Sequence, residues 1–166
     1  MKKQPHILPV VSLGAEYLVM GHLMRRNILT YKAPPNNEGY DIICINPNQK
    51  MASKTVRVQV KSRYQSDGDG GVQVSEKSFD SFDYLVVAFL NIGFFFRKGK
   101  ECIDGRTMPK FYALPVEWIR RHHRRPPSGR GDVPTRGMDI DKFKNEQGFD
   151  LIAKKLKIPY PSRLEG

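Results

Sequence analysis

The sequence predicts an α/β fold, with a helix first, then several strands, then further helices and a basic appendage at the C-terminal end. Three patterns carry this. Leu13, Tyr17, Met20 or Gly21, and Met24 recur at helical spacing, the mark of an apolar stripe on a helix. Lys54–Ser62 alternates strictly, with Val56, Val58 and Val60 on one side and Thr55, Arg57, Gln59 and Lys61 on the other. Tyr84–Leu90 is an unbroken apolar run of strand length, as expected of a strand covered on both faces. At 166 residues the chain is most simply one domain with a real core.

The elements follow in order. Val11–Asn27 reads as a helix, with Ser12 able to cap a slightly later start. Ile28–Ala33 is extended and stopped by Pro34-Pro35 and the Asn36-Asn37 turn. Tyr40–Ile45 is a strand closed by Asn46-Pro47-Asn48, and Lys54–Ser62 is the clearest strand of the chain. The Asp67–Gly71 run is a turn, in which Asp67 and Asp69 are better read as turn residues than as a cation site. Short strands are expected at Val72–Val74, Gly93–Arg97 and Lys110–Leu114, the last leading into a helix at Pro115–His122 with proline near its first turn. Pro126–Gly137 is irregular. Asp139 is placed to cap a helix over Ile140–Glu146, and Phe149–Leu156 forms another.

Composition narrows the function. The net charge is +11 and the pI about 9.8, a field that attracts polyanions without telling DNA from RNA or from an acidic protein. Arg120, Arg121, Arg124, Arg125 and Arg130 fall in one stretch with His122 and His123 and no acid, either a phosphate-contacting patch or a solvated basic loop. No apolar run is long enough to span a membrane and the first residues show no secretory segment, so a cytoplasmic setting is expected. Cys44 and Cys102 have no metal or redox spacing, and Cys44 reads as core.

Candidate chemistry gathers on the two central strands. Asp41 opens a strand that is otherwise apolar on both faces, so it must sit at an edge, be paired or bind a metal. Gln59 and Lys61, two residues apart, share one face of the next strand, and the Val60 carbonyl supplies another oxygen. Oxygens of this kind suit a divalent cation, and an amine beside them suits a phosphate. Glu16 is the only formally charged residue between Val11 and Met24. It lies either at the helix margin or over the sheet towards Asp41 and Lys61. On periodicity alone, Arg57, Gln59 and Lys61 also fit a plain solvent face.

Gly14-Ala15-Glu16 in the first helix, Gly39-Tyr40-Asp41 opening a strand and Gln59-Val60-Lys61-Ser62 in the next resemble, in order and spacing, the PD-(D/E)XK nuclease superfamily. The Gln59 variant is similar to small homing-endonuclease-like or Mrr-like members, and the likeness spans roughly residues 10–122. It implies a restriction-endonuclease-like mixed central sheet flanked by helices, a nuclease core over 1–125 and a basic C-terminal extension, 126–166, packed on it. It also implies catalytic roles for Glu16, Asp41, Gln59 and Lys61, with Mg²⁺ (Mn²⁺ as substitute) held by Asp41, Gln59, the Val60 carbonyl and Glu16.

DNA is the implied substrate, contacted by Arg57, Arg63, Arg120, Arg121, Arg124, Arg125 and Arg130. The resemblance also implies a homodimer or higher homo-oligomer, since cutting both strands of a duplex needs two sites, and nothing in the sequence fixes the count. Gln59 in place of the usual acid leaves the site one negative charge short. The expected function is therefore a divalent-metal-dependent DNA endonuclease. The alternatives are a nucleic-acid-binding protein that keeps the fold with little or no catalysis and, on charge alone, a module for acidic proteins.

Overall fold

A computed structural model of the chain describes residues 9–64, 70–92, 107–125, 131–135 and 139–159. The expected strand at Gly93–Arg97, the Asp67–Asp69 turn, Cys102 and Arg130 lie outside these residues.

Helix α1 (Pro9–Met24) leads into strands β1 (Leu29–Lys32), β2 (Ile42–Ile45), β3 (Thr55–Arg63), β4 (Gly71–Gln73), β5 (Tyr84–Phe89) and β6 (Lys110–Pro115). Helix α2 (Val116–His122), strand β7 (Asp132–Pro134) and helix α3 (Asn145–Lys155) complete the described elements. The main sheet runs β1-β2-β3-β5-β6, antiparallel except for the parallel pair β3 and β5. It is a mixed sheet with helices on its faces. The small β4–β7 sheet is separate.

Two apolar layers sandwich the main sheet. On one face Ala15, Val19 and Leu23 of α1 and Phe149 and Ile152 of α3 pack on Ile42, Cys44, Val56, Val58, Val60, Val86 and Ala88. On the other, Leu85, Val87 and Phe89 meet Phe82, Trp118, Ile119 and Val133. All six residues of β5 are buried, as its continuous apolar run predicts, because strands flank both its edges and layers cover both its faces.

Four expectations are corrected. First, the buried seam of α1 is Ala15, Val19, Met20 and Leu23, while Leu13, Tyr17 and Met24 stay about half exposed. The helix is apolar almost all round, so spacing alone offers two stripes, and the sheet takes the one that includes small Ala15. Ser12 is exposed inside a helix that already begins at Pro9, and does not cap a later start. The helix ends at Met24, where Asn27 turns left-handed (φ 58°) and Ile28 N–H reaches back to Leu23 O at 3.2 Å.

Second, β2 starts at Ile42, two residues later than expected. Gly39 (φ 100°) lies so close to Ser81 that an added Cβ would stand 2.2 Å from the serine Cβ, so the chain enters β2 from a tight turn. Third, Asp139 caps no helix. A 3-10 turn at Asp141–Phe143 precedes a left-handed Asn145 (φ 47°), and a single helix α3 replaces the two expected. Gly148 permits the tight approach, since a Cβ there would lie 2.1 Å from Phe143 O. Fourth, within the stretch expected to be irregular, Asp132–Pro134 pairs with β4.

The segment beyond residue 125 contributes Phe149, Ile152, Ala153, Leu156 and Ile158 to the same apolar layer as α1. Arg26, with a side chain 8% exposed, joins the two helices by ion pairs to Glu146 and Asp150. At the sheet edge, Phe111 N–H donates to Asn145 Oδ1 at 2.9 Å, which covers part of β6.

Candidate active site

The site forms where β2 and β3 diverge. Their ladder runs from Ile45↔Thr55 to Ile42↔Val58. Beyond it β3 continues to Arg63, held on its far side by β5. Asp41 sits at the fork. Its N–H donates to Val58 O at 2.9 Å, and its Oδ2 accepts the Val60 N–H at 2.7 Å. The carboxylate thus replaces the missing β2 partner and lies within a residue of both Gln59 and Lys61. Because N–H and C=O of one strand residue point the same way, the Val60 carbonyl faces the same open edge as Asp41.

Gln59 and Lys61 share the face opposite the buried Val58 and Val60, as the alternation predicts. Gln59 Oε1 is buried and has no hydrogen-bond partner among the described residues. A buried, unpaired amide oxygen is costly, and such atoms mark places where an ion, a water or a ligand completes the structure. Lys61 is half-buried, and among the described residues no carboxylate pairs with it. Arg63, just beyond, donates from Nη1 to the Ser62 carbonyl at 2.8 Å, and among the described residues no carboxylate pairs with it.

Glu16 points another way. It is largely buried, and its Oε2 is ion-paired with Lys32 Nζ on β1. Lys32 is the residue that sequence reasoning missed. Its position at the end of an extended run was visible, but nothing in the spacing tied it to Glu16. The structure brings Asp41, Gln59, Val60 and Lys61 together and gives Glu16 a separate cation. Among the described residues no group of three or more His, Cys, Asp or Glu side chains is arranged to hold a metal. The donors at the fork are one carboxylate, one amide oxygen and one backbone carbonyl. In type these hard oxygens fit Mg²⁺; in charge they are thin.

Most of the expected DNA-contacting arginines have acidic partners within the chain. Arg57 Nε lies 3.3 Å from Asp83 Oδ2, which also accepts the Arg57 N–H at 2.8 Å, and Arg57 Nη1 donates to Asp80 O at 3.0 Å. Arg120 Nη2 meets Asp80 Oδ1 at 2.5 Å. Arg124 grips Asp132 with both Nε (3.2 Å) and Nη2 (2.8 Å), and their backbones pair as well. Arg125 binds Glu76 through Nε at 2.5 Å and through Nη2. Only Arg121 of this described run donates solely to backbone, at Glu117 O (3.2 Å).

A cavity of about 430 Å³ lies beside these pairs, lined by Gln73, Glu76, Lys77, His123, Arg125 and Gly131 among others. Arg125 holds the Glu76 carboxyl below the usual range by its hydrogen bond, and Glu76 in turn raises the guanidinium. The His123 side chain is buried here, with Nε2 on Val74 O at 2.9 Å and Nδ1 3.2 Å from Glu76. His122 instead stacks on Trp118 at 4.2 Å. Both histidines fasten α2 and its neighbours, and Trp118 is core.

No protein-family model matches the chain, and no curated protein matches it. Among solved structures it is similar to a bacterial homing endonuclease, I-Ssp6803I, at 17% identity, covering 89% of this chain and 90% of that one with a TM-score of 0.50. The likeness shows a restriction-endonuclease-like fold.

Proposed function

We propose that the chain binds DNA on a restriction-endonuclease-like scaffold and has little or no cleavage activity of its own. The observation that carries this reading is the separation of the two acids. Glu16 is neutralised by Lys32, while Asp41 is engaged with the Val60 N–H. One carboxylate with an amide and a carbonyl gives a divalent ion little charge to bind. Cations remain for a polyanion: Lys61, Arg63 and Arg121 have no carboxylate partner among the described residues, and the chain carries +11 overall. The nuclease-like fold, shared with a homing endonuclease, supports nucleic acid as the partner. No helix among the described residues is long and apolar enough to cross a membrane, and a cytoplasmic setting fits this reading.

A second reading has its own observation, the unpaired Gln59 Oε1 beside Asp41 and Lys61. It is a Mg²⁺- or Mn²⁺-dependent endonuclease of the PD-(D/E)XK superfamily in its glutamine variant. Asp41, Gln59 and the Val60 carbonyl would hold the ion, which supplies a Lewis acid and an acidified water. Lys61 would position that water against the phosphate, and Glu16 would assist once released from Lys32.

One pair of assays separates the two. Fluorescence anisotropy with a labelled duplex at rising salt is expected to show binding whose log affinity falls linearly with log salt. Supercoiled plasmid with Mg²⁺ or Mn²⁺ is expected to stay intact. Nicking that disappears in Lys61→Ala establishes the second reading instead. Absence of salt-sensitive binding to DNA overturns the first.

A further inference from the structure

Within Pro9–Met24 the outer face of α1 is apolar and uncharged, and none of the described residues covers it. Val10 (78% exposed), Leu13 (45%), Tyr17 (56%), Leu18 (44%) and Met24 (47%) all lie on it, opposite the seam that packs on the sheet. Its central line, Val10, Gly14, Tyr17, Gly21 and Met24, has steps of four, three, four and three residues. That is the spacing of a helix–helix seam, repeated on the side of α1 that faces away from its own core. Isolated surface apolar residues are ordinary; five on one helix face are not.

The glycines fit the same purpose. A Cβ at Gly14 or Gly21 would meet nothing within 4 Å, so neither is required by packing inside the monomer. Each weakens the helix relative to alanine. What they provide is a shallow spot one turn to either side of Tyr17, where another backbone can come close.

We infer that this face is the contact between two copies of the chain, packed antiparallel about a twofold axis near Tyr17. Under that axis Gly14 faces Gly21 of the second copy, Val10 faces Met24, and Tyr17 lies beside its equivalent. The stripe is nearly palindromic, as an isologous contact demands. Charge selects the occupant. Two molecules at +11 repel overall, and α1 is a face that brings no further like charges into the contact: Glu16 is taken by Lys32, and His22 turns inward onto Phe149 at 5.6 Å. An uncharged face offers nothing to a phosphate backbone.

Size sets the strength. Sixteen residues make a helix about 24 Å long and about 10 Å wide, a smaller contact than the ~800 Å² per partner of a standard interface. The dimer is therefore reversible, and its population rises with concentration by mass action. The inference rests on neither reading of the active site.

Sedimentation velocity of the full chain tests it, run from about 1 to 100 µM so that mass action is visible. The wild type is expected to move from monomer to dimer. Tyr17→Glu is expected to stay monomeric over the same range with an unchanged circular dichroism spectrum. Gly14→Leu gives an independent check: its side chain enters open space in the monomer, so the fold stands while close approach is blocked, and it too is expected to stay monomeric. A wild type that is monomeric throughout overturns the proposal, as does a dimer that survives both substitutions. A monomer whose α1 face instead drives binding to phosphatidylcholine vesicles, lost in Tyr17→Glu, also overturns it.

Discussion

Replacing Phe149 with alanine is expected to destabilise the whole domain and not merely loosen its C-terminal end. Phe149 is fully buried, packed against His22 of α1 (ring centroids 5.6 Å apart) and Phe111 of β6 (5.9 Å). It therefore touches a helix and a strand that are both far from it in sequence. Truncating a phenylalanine at such a site costs about 3–5 kcal/mol, from lost burial and from the cavity left behind. That is a large share of the ~5–15 kcal/mol that stabilises a typical domain. For a chain of this size each kcal/mol moves Tm by about 2–4 °C, so a fall of roughly 6–20 °C follows. Thermal unfolding followed by far-UV circular dichroism measures it, with Phe149→Leu expected to lose much less. A single transition shifted by less than about 2 °C would refute the reasoning, because it would mean that α3 rests on the sheet without sharing its core.

Three further outcomes are expected. Asp41→Ala strips the Val60 N–H of its 2.7 Å acceptor and should cost about 1–3 kcal/mol in chemical denaturation, whereas Asp41→Asn keeps an acceptor and should recover much of the loss. Cys44 should resist thiol reagents in a Cys102→Ser background until urea unfolds the chain, since burial first and Asp83 second push its pKa from 9.0 to about 12. The unfolded thiol then ionises before the folded one, so stability falls as pH rises from about 9 towards 12, by at most about 4 kcal/mol, and an unchanged urea midpoint across that window would contradict this. Glu76→Gln should free Arg125, tighten DNA binding at low salt and steepen the salt slope by about one unit, which anisotropy reads directly. Acid should act in the same direction: the Glu76 carboxyl is held low by Arg125, so the pair is intact at neutral pH and is lost as pH falls through the lowered folded value.

Where one physical signal dominated, the sequence was legible. The alternation in β3 and the apolar run of β5 each left one arrangement that satisfies burial, and the structure has those arrangements. The fork of Asp41 with Gln59, Val60 and Lys61 was legible too, as adjacent strands with polar residues at matching ends. α1 was not, because a helix apolar on most sides carries two equivalent stripes and only the sheet decides between them. Nor was the ion pair of Glu16 with Lys32, since local spacing does not say which cation a helix carboxylate will meet across a turn. The α3 region misled for a related reason. Asp139 has the chemistry of a cap, but the left-handed Asn145 and the close approach at Gly148 reset the helix start, and both are tertiary facts.

The arginine run shows how charge count and charge availability part company. Pairing Arg120 with Asp80, Arg124 with Asp132 and Arg125 with Glu76 does not reduce the net +11, because those acids are already in the sum. The long-range field that draws in a polyanion is therefore unchanged by the pairs. What they change is the short-range contact. Each exposed pair is worth little on its own, so a phosphate can displace the carboxylate at small cost, but it must do so at every arginine. Lys61, Arg63 and Arg121 face no such competition among the described residues. Two of these three flank the β2–β3 fork. On the proposed DNA-binding reading, a duplex steered by the whole surface should thus settle first at the strand edge that carries Asp41 and Gln59, and engage Arg120, Arg124 and Arg125 only as their carboxylates yield.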